Sequence, residues 1–142
     1  MRTSESGIAL IKAQEGFKAR PSLDTDVLSW GYGHDRQGSE LIPMSVTEAQ
    51  ADALLRADLP RYEAAVARLA PEANQNQFDA LVDFCYNLGP ARLATMLSHG
   101  FASVPSQMLR WIWMEQDGRE VISEALARRR EAESELFQQP VA

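Results

Sequence analysis

Ile8 and Ile11 stand at helical spacing ahead of Glu15, and Gly16 follows at once, so the chain opens with a helix over about residues 4–14. That spacing puts Glu15 on the inward side of the helix end. From Phe17 to Ile42 the helical period disappears and Gly, Asp, Ser, Pro and aromatic residues take over, the pattern of short strands and turns. This stretch is the only sheet the sequence predicts. After Pro43, Ser45 or Thr47 can cap a helix with Glu48 or Gln50 close behind, and that helix is expected to reach about Ala57. Pro60 is expected to kink or restart it, with Tyr62, Val66 and Leu69 giving a second apolar stripe that stops before Pro71. The clearest helix runs from Asn76: Phe78, Leu81, Val82 and Cys85 fall at i, i+3, i+4 and i+7, and Gly89-Pro90 closes it. Shorter helices are expected over Leu93 to Leu97 and Met108 to Met114, and a last one over about Val121 to Phe137.

The sum is a mainly helical α+β chain of one domain. A small lobe with a short antiparallel sheet takes about residues 15–58, and a larger helical lobe takes about 60–142 together with the first helix. At 142 residues and 45% hydrophobic, the chain can bury such a core without disulfides or metals. Its single Cys85 cannot bridge internally and reads as a buried thiol. The apolar stretch Ile8 to Ile11 is too brief for a signal peptide or a membrane span, so synthesis in the cytoplasm and no membrane insertion are expected. With 14 basic and 20 acidic residues the net charge is −6, which argues against nucleic acid and anionic membranes as partners. A monomer is expected. Two His and one Cys, widely spaced, make no metal site, and no cofactor is called for. Asp24-Thr25-Asp26 starts like a calcium loop, but Leu28 sits where an oxygen ligand belongs and Ser29 replaces the required Gly.

Chemistry concentrates between Glu15 and His34, where acids, a hydroxyl and glycines share the least regular part of the chain. Glu15 ends an apolar stripe, and partial desolvation there favours its protonated form. Asp24 stands among Ser22, Thr25 and Asp26 in a polar turn that favours the ionised form. One protonated and one ionised carboxyl are the pair that glycosidic cleavage requires. Period-2 alternation places Ser29 on one face with Gly31 and Gly33, and Trp30, Tyr32 and His34 on the other. A face so poor in side chains would let a sugar ring approach the backbone. Taken singly, a helix-terminal Glu is usually a solvated charge and Asp-Thr-Asp usually a turn; their order along the chain is the informative feature.

Glu15-Gly16, Asp24 nine residues after the Glu, Gly31-Tyr32-Gly33-His34, Ser45 to Gln50 with Leu54-Leu55, the run Asn76 to Gly89 and the run Ala125 to Phe137 together resemble the phage-type lysozymes, glycoside hydrolase family 24. The resemblance covers nearly the whole chain and implies a lysozyme-like fold. It implies hydrolysis of the β-1,4 bond between N-acetylmuramic acid and N-acetylglucosamine in peptidoglycan, for host lysis, with the enzyme reaching the wall after release from the host cytoplasm. Glu15 is then the general acid, Asp24 the general base or nucleophile, and Ser29 stands at the family's Thr position, five residues after Asp24 and one fewer than the family's spacing. Inversion at the anomeric carbon follows if a water sits between Asp24 and Ser29. By the same resemblance Tyr86 and Asn87 line the substrate cleft, and His34 pairs with Asp58 as structural support near the site, alongside Gly31 and Gly33.

Arg128, Arg129 and Arg130 lie beside Glu131 and Glu133 and read as intrahelical pairs and lobe contacts rather than a nucleic-acid site. Trp111 and Trp113, two apart on the expected helix, cannot share a face, so at least one belongs to the core. Two other functions stay open: a catalytically silent lysozyme-fold module that binds peptidoglycan or serves as a structural part, and a hydrolase directed at chitin or chitosan.

The charge of −6 generates a first prediction, because a negatively charged wall repels an acidic protein until salt screens the two over about 8–10 Å. Clearing of wall suspensions should therefore quicken as salt rises from low to moderate concentration; a steady slowing would show that attraction governs the encounter.

Overall fold

The computed structural model describes residues 1–142. Helix α1 spans Glu5–Glu15, and Ser4 caps it by accepting from the Gly7 amide at 3.1 Å. The Ser4 hydroxyl and amide also donate to Asp79, so the cap ties α1 to the middle of the chain. Gly7 has to be glycine, since a Cβ there would stand 2.6 Å from Asp79 Cγ. Gly16 ends the helix in the left-handed region at φ 73°.

Strands β1 (Lys18–Asp24), β2 (Val27–Gly31) and β3 (His34–Asp35) form an antiparallel sheet in that order. Trp30 and His34 are cross-strand partners with rings edge to face, 5.1 Å apart. The sheet packs against helix α2, Glu48–Leu69, which starts with a capping box between Thr47 and Gln50. The helix runs through Pro60 without restarting. Pro60 is exposed and removes one backbone donor, but Leu55 and Leu59 before it and Ala65 and Val66 after it are buried in one cluster, so packing keeps the helix continuous across it.

Helix α3, Gln75–Leu88, carries the centre of the core, with every residue from Phe78 to Cys85 buried. Full burial of a side chain such as Leu81 or Phe84 contributes about 1.5–3 kcal/mol. It packs on α1, α2, α4 (Pro90–Leu97) and α6 (Glu124–Gln138). Burial pushes the Cys85 thiol up to about 11. No helix is long and apolar enough to cross a membrane.

The helix expected over Met108 to Met114 is wrong. Helix α5 covers only Val104–Met108, and β4 (Trp113–Gln116) and β5 (Arg119–Ile122) then form a second antiparallel sheet, so the first is not the only one. Asp117 and Gly118 both adopt positive φ, 53° and 76°, the two-residue turn whose twist suits a hairpin. The last helix accordingly starts at Glu124 rather than Val121, with Ser123 accepting from the Leu126 amide. Trp111 is half-buried edge-on to Phe84, while Trp113 stands 54% exposed on the hairpin. The two do part company, through a strand rather than through helical phase.

His34 joins the sheet to α2 through Nδ1, 2.6 Å from Asp58 Oδ2, and its Nε2 lies 2.9 Å from Glu40 Oε1. Burial works against a charged ring, but the two carboxylates outweigh it and hold the His34 pKa above its ordinary value. A raised pKa makes this contribution complete below about 6.5, the unfolded value, and removes it as pH climbs through the higher native value. The melting temperature of the wild type should therefore fall by several degrees between pH 6 and 9, while His34→Gln, less stable at pH 6, should change little over that window. An equally steep fall in the variant would assign the pH dependence to other groups.

Candidate active site

A polar cavity of about 240 Å³ opens where the end of α1 meets the sheet and the end of α3, lined by Glu15, Lys18, Asp24, Ser29, Gly33, Asp35, Tyr86 and Asn87. Five elements or their connections contribute to it. Glu15, Asp24, Ser29, Gly33, Tyr86 and Asn87 thus share one cavity, as the sequence reading requires. Gly31 does not. Strand β2 ends at Gly31, where φ is 68°, and the turn through Tyr32 and Gly33 breaks the alternation, so a Cβ on Gly31 would meet Ala51 of α2. Tyr32 likewise leaves the face of Trp30 and His34 and packs on Phe17.

Gly33 serves a different purpose from the one expected of it. A Cβ there would stand 2.5 Å from Glu15 Oε1, so the missing side chain admits the Glu15 carboxyl rather than a sugar. Glu15 is 19% exposed and accepts from Arg129 Nη1 at 2.6 Å. Arg129 comes from α6 and is itself held by Asp83 of α3 through two bonds of 2.9 Å. Burial raises the Glu15 pKa; Arg129 opposes this, and the charges of Asp83 and Asp35 add to it. Burial outweighs the guanidinium, with the Asp83 charge a smaller aid, so Arg129 orients Glu15 while its pKa stays above the ordinary value.

Beneath this pair lies a buried cluster in which Asp83, Arg130 and Glu133 are each fully covered. Burial works against a charged Asp83, but a bond from Glu133 and the two arginines outweigh it and hold Asp83 ionised. Burial and the same bond push Glu133 well above its ordinary value. Arg130 donates to Glu133 and, at 2.8 Å, to Asn87 Oδ1, while its guanidinium lies 4.9 Å from the centre of the Phe84 ring. With the oxygen of Asn87 engaged by Arg130, the amide NH₂ is the group this cavity-lining residue has left to give.

Tyr86 donates its hydroxyl to the Tyr32 carbonyl at 2.6 Å and packs edge-on to Tyr62, so its polar end belongs to the fold and only its ring is left for the cavity. Asp24, at the end of β1, is exposed, beside a turn in which Thr25 takes φ 59°. Ser29 is buried and accepts from Lys18 Nζ at 3.0 Å. His34 and Asp58 support the sheet from outside the cavity.

Sequence reasoning missed Lys18, Asp35 and Arg129. Asp35, on β3, has its pKa raised by burial and by the charge of Asp24. It directly follows the Gly-Tyr-Gly-His run, which was a usable signal. For Arg129 the signal was Asp83, an acid inside an apolar helix, since a buried carboxylate requires a cation. A larger cavity of about 380 Å³ lies between α4 and the β4–β5 hairpin, lined by Arg92, His99, Arg110, Trp111 and Trp113 among others, but it holds one carboxylate, Glu120, and offers no acid pair.

The family model described as phage lysozyme matches residues 12–133. An endolysin of Bacillus phage B103 is 36% identical over 148 aligned positions, covering 96% of this chain; the chain spans about half of that relative's length, 54%. Among solved structures, the muramidase domain of SpmX from Asticaccaulis excentricus superposes with a TM-score of 0.87 at 35% identity, covering 98% of this chain and 99% of that one. An endolysin from Escherichia coli O157:H7 phage FAHEc1 superposes equally well, 0.87, at 29% identity and 99% and 96% coverage. The ordered motifs, the helical fold with its small sheet and the family match agree, and the chain belongs to the phage lysozyme family.

Proposed function

We propose that the protein is an endolysin-type muramidase that hydrolyses the β-1,4 bond between N-acetylmuramic acid and N-acetylglucosamine in bacterial peptidoglycan. One observation carries the reading: Glu15 and Asp24, from separate elements, open into one cavity, the first largely buried and the second exposed. Glu15, its pKa raised by burial, donates its proton to the leaving glycosidic oxygen. Asp24 takes a proton from a water that Ser29 helps to hold, and attack from the face opposite Glu15 inverts the anomeric centre. The Asn87 NH₂ suits an N-acetyl carbonyl, and the Tyr86 ring offers a pyranose an apolar wall.

The family and its endolysin relatives support the hydrolase over a silent wall-binding module. The same two acids would serve chitin or chitosan, and peptidoglycan is preferred because it is the substrate of the family's activity. We assign action as a monomer, after synthesis in a host cytoplasm and release to the wall.

Incubation with purified peptidoglycan should release reducing ends carrying the inverted anomer. Glu15→Gln and Asp24→Asn should each lower that rate by about 10²–10⁴-fold without lowering the melting temperature of the fold by more than a few degrees. Binding to the wall with no new reducing ends from the wild type would leave the silent module standing, and cleavage of chitooligosaccharides in preference to walls would move the substrate.

A further inference from the structure

The cavity holds one cation, Lys18, that the catalytic roles above leave unused. Its Nζ donates to Ser29 Oγ at 3.0 Å and to Ser22 Oγ at 2.9 Å. The strand register explains how three residues so far apart in the chain meet. Lys18 pairs with Gly31 and Ser22 pairs with Ser29, so a four-residue step on β1 spans a two-residue step on β2, and the surplus bulges out between them. The Ala19 carbonyl in that bulge accepts from the Val46 amide at 2.7 Å, which fixes it to the segment ahead of α2. Ser22 and Ser29, directly opposite across the strands, face the same side, and the ammonium bridges them.

That bridge decides which way the Ser29 hydroxyl can act. A serine oxygen has one hydrogen to give and two lone pairs, whereas an ammonium can only donate. In this bond Ser29 is therefore the acceptor, and its own hydrogen points away from Lys18. Serine also lacks the γ-methyl that stiffens χ1 in threonine, so its rotamer needs an external constraint. We propose that Lys18 is a positioning residue that clamps Ser29 in one rotamer with its hydroxyl hydrogen directed into the cavity, where it holds the attacking water for Asp24. A lysine clamp thus takes over what a β-branched side chain does by its own stiffness. The inference rests on the muramidase reading above.

The test is a double-mutant cycle on purified peptidoglycan, with Lys18→Met in the wild-type, Ser29→Thr and Ser29→Ala backgrounds and the fold checked by melting temperature. With Ser29 present, Lys18→Met should lower kcat about tenfold to hundredfold with KM little changed, the cost of a misplaced nucleophile. In the Ser29→Thr background the same substitution should cost no more than about threefold, because threonine holds its own rotamer. In the Ser29→Ala background it should cost nothing further, there being no hydroxyl to orient. An equal cost in all three backgrounds, or an effect confined to KM, would make Lys18 a substrate-binding charge and overturn the clamp. A crystal structure of Lys18→Met gives a readout independent of turnover: Ser29 should occupy more than one rotamer, and a single unchanged rotamer would also overturn it. A wild type that turns over no peptidoglycan would instead remove the muramidase reading and this inference with it, whereas an active wild type indifferent to Lys18→Met removes the clamp alone.

Discussion

The Arg129 guanidinium, locked on Asp83 by two bonds and reaching Glu15 with a third, is the contact on which the site depends. It joins the last helix, the central helix and the first helix at one buried point. A buried cation of this kind is tolerated only when answered, and removal of one partner from such a pair typically costs 3–5 kcal/mol. The cluster therefore works as a joint. It fixes the end of α1 so that the Glu15 carboxyl projects past Gly33, where any other residue would displace it.

The joint would defeat an acid catalyst if Arg129 gave its full charge to Glu15, because an adjacent cation favours the ionised carboxylate. Asp83 prevents this. Held low in pKa at the centre of the fold, with the Glu133 pKa pushed up beside it, it answers the Arg129 charge from below and adds its own repulsion to Glu15. Burial then prevails and Glu15 keeps a raised pKa, while Asp24 stands in the open on the other wall of the cavity. Two carboxyls on one cavity thus stand in opposite surroundings, one buried and one open to solvent.

Much of this was legible in the sequence, and for local reasons. Helix starts are written in short capping patterns such as Thr47 to Gln50, and the core helix in the spacing of Phe78, Leu81, Val82 and Cys85. That Glu15, Asp24 and Ser29 come together on one cavity was readable from their order along one short segment. What escaped depended on tertiary context or on a dipeptide passed over. Asp117-Gly118 is a strong hairpin signal, overlooked because the apolar run around Trp111 read as helical. Pro60 sits within a helix held by packing that no local pattern reports. The arginine run read as intrahelical pairs and lobe contacts, which Arg130 with Glu133 and Arg129 with Asp83 and Glu15 bear out, but only the fold shows that Arg129 reaches the cavity and Arg130 holds Asn87.

The central claim is that burial, aided by the Asp83 charge, holds the Glu15 pKa above its ordinary value despite a guanidinium 2.6 Å away. Carbon-13 NMR of the Glu15 side-chain carboxyl, followed through a pH titration of the free protein, measures this without recourse to any substrate. The account predicts a midpoint above 4.5, the ordinary value for glutamate. A midpoint below it would mean that Arg129 governs the group, and Glu15 would then be an anchored anion rather than the acid of the site.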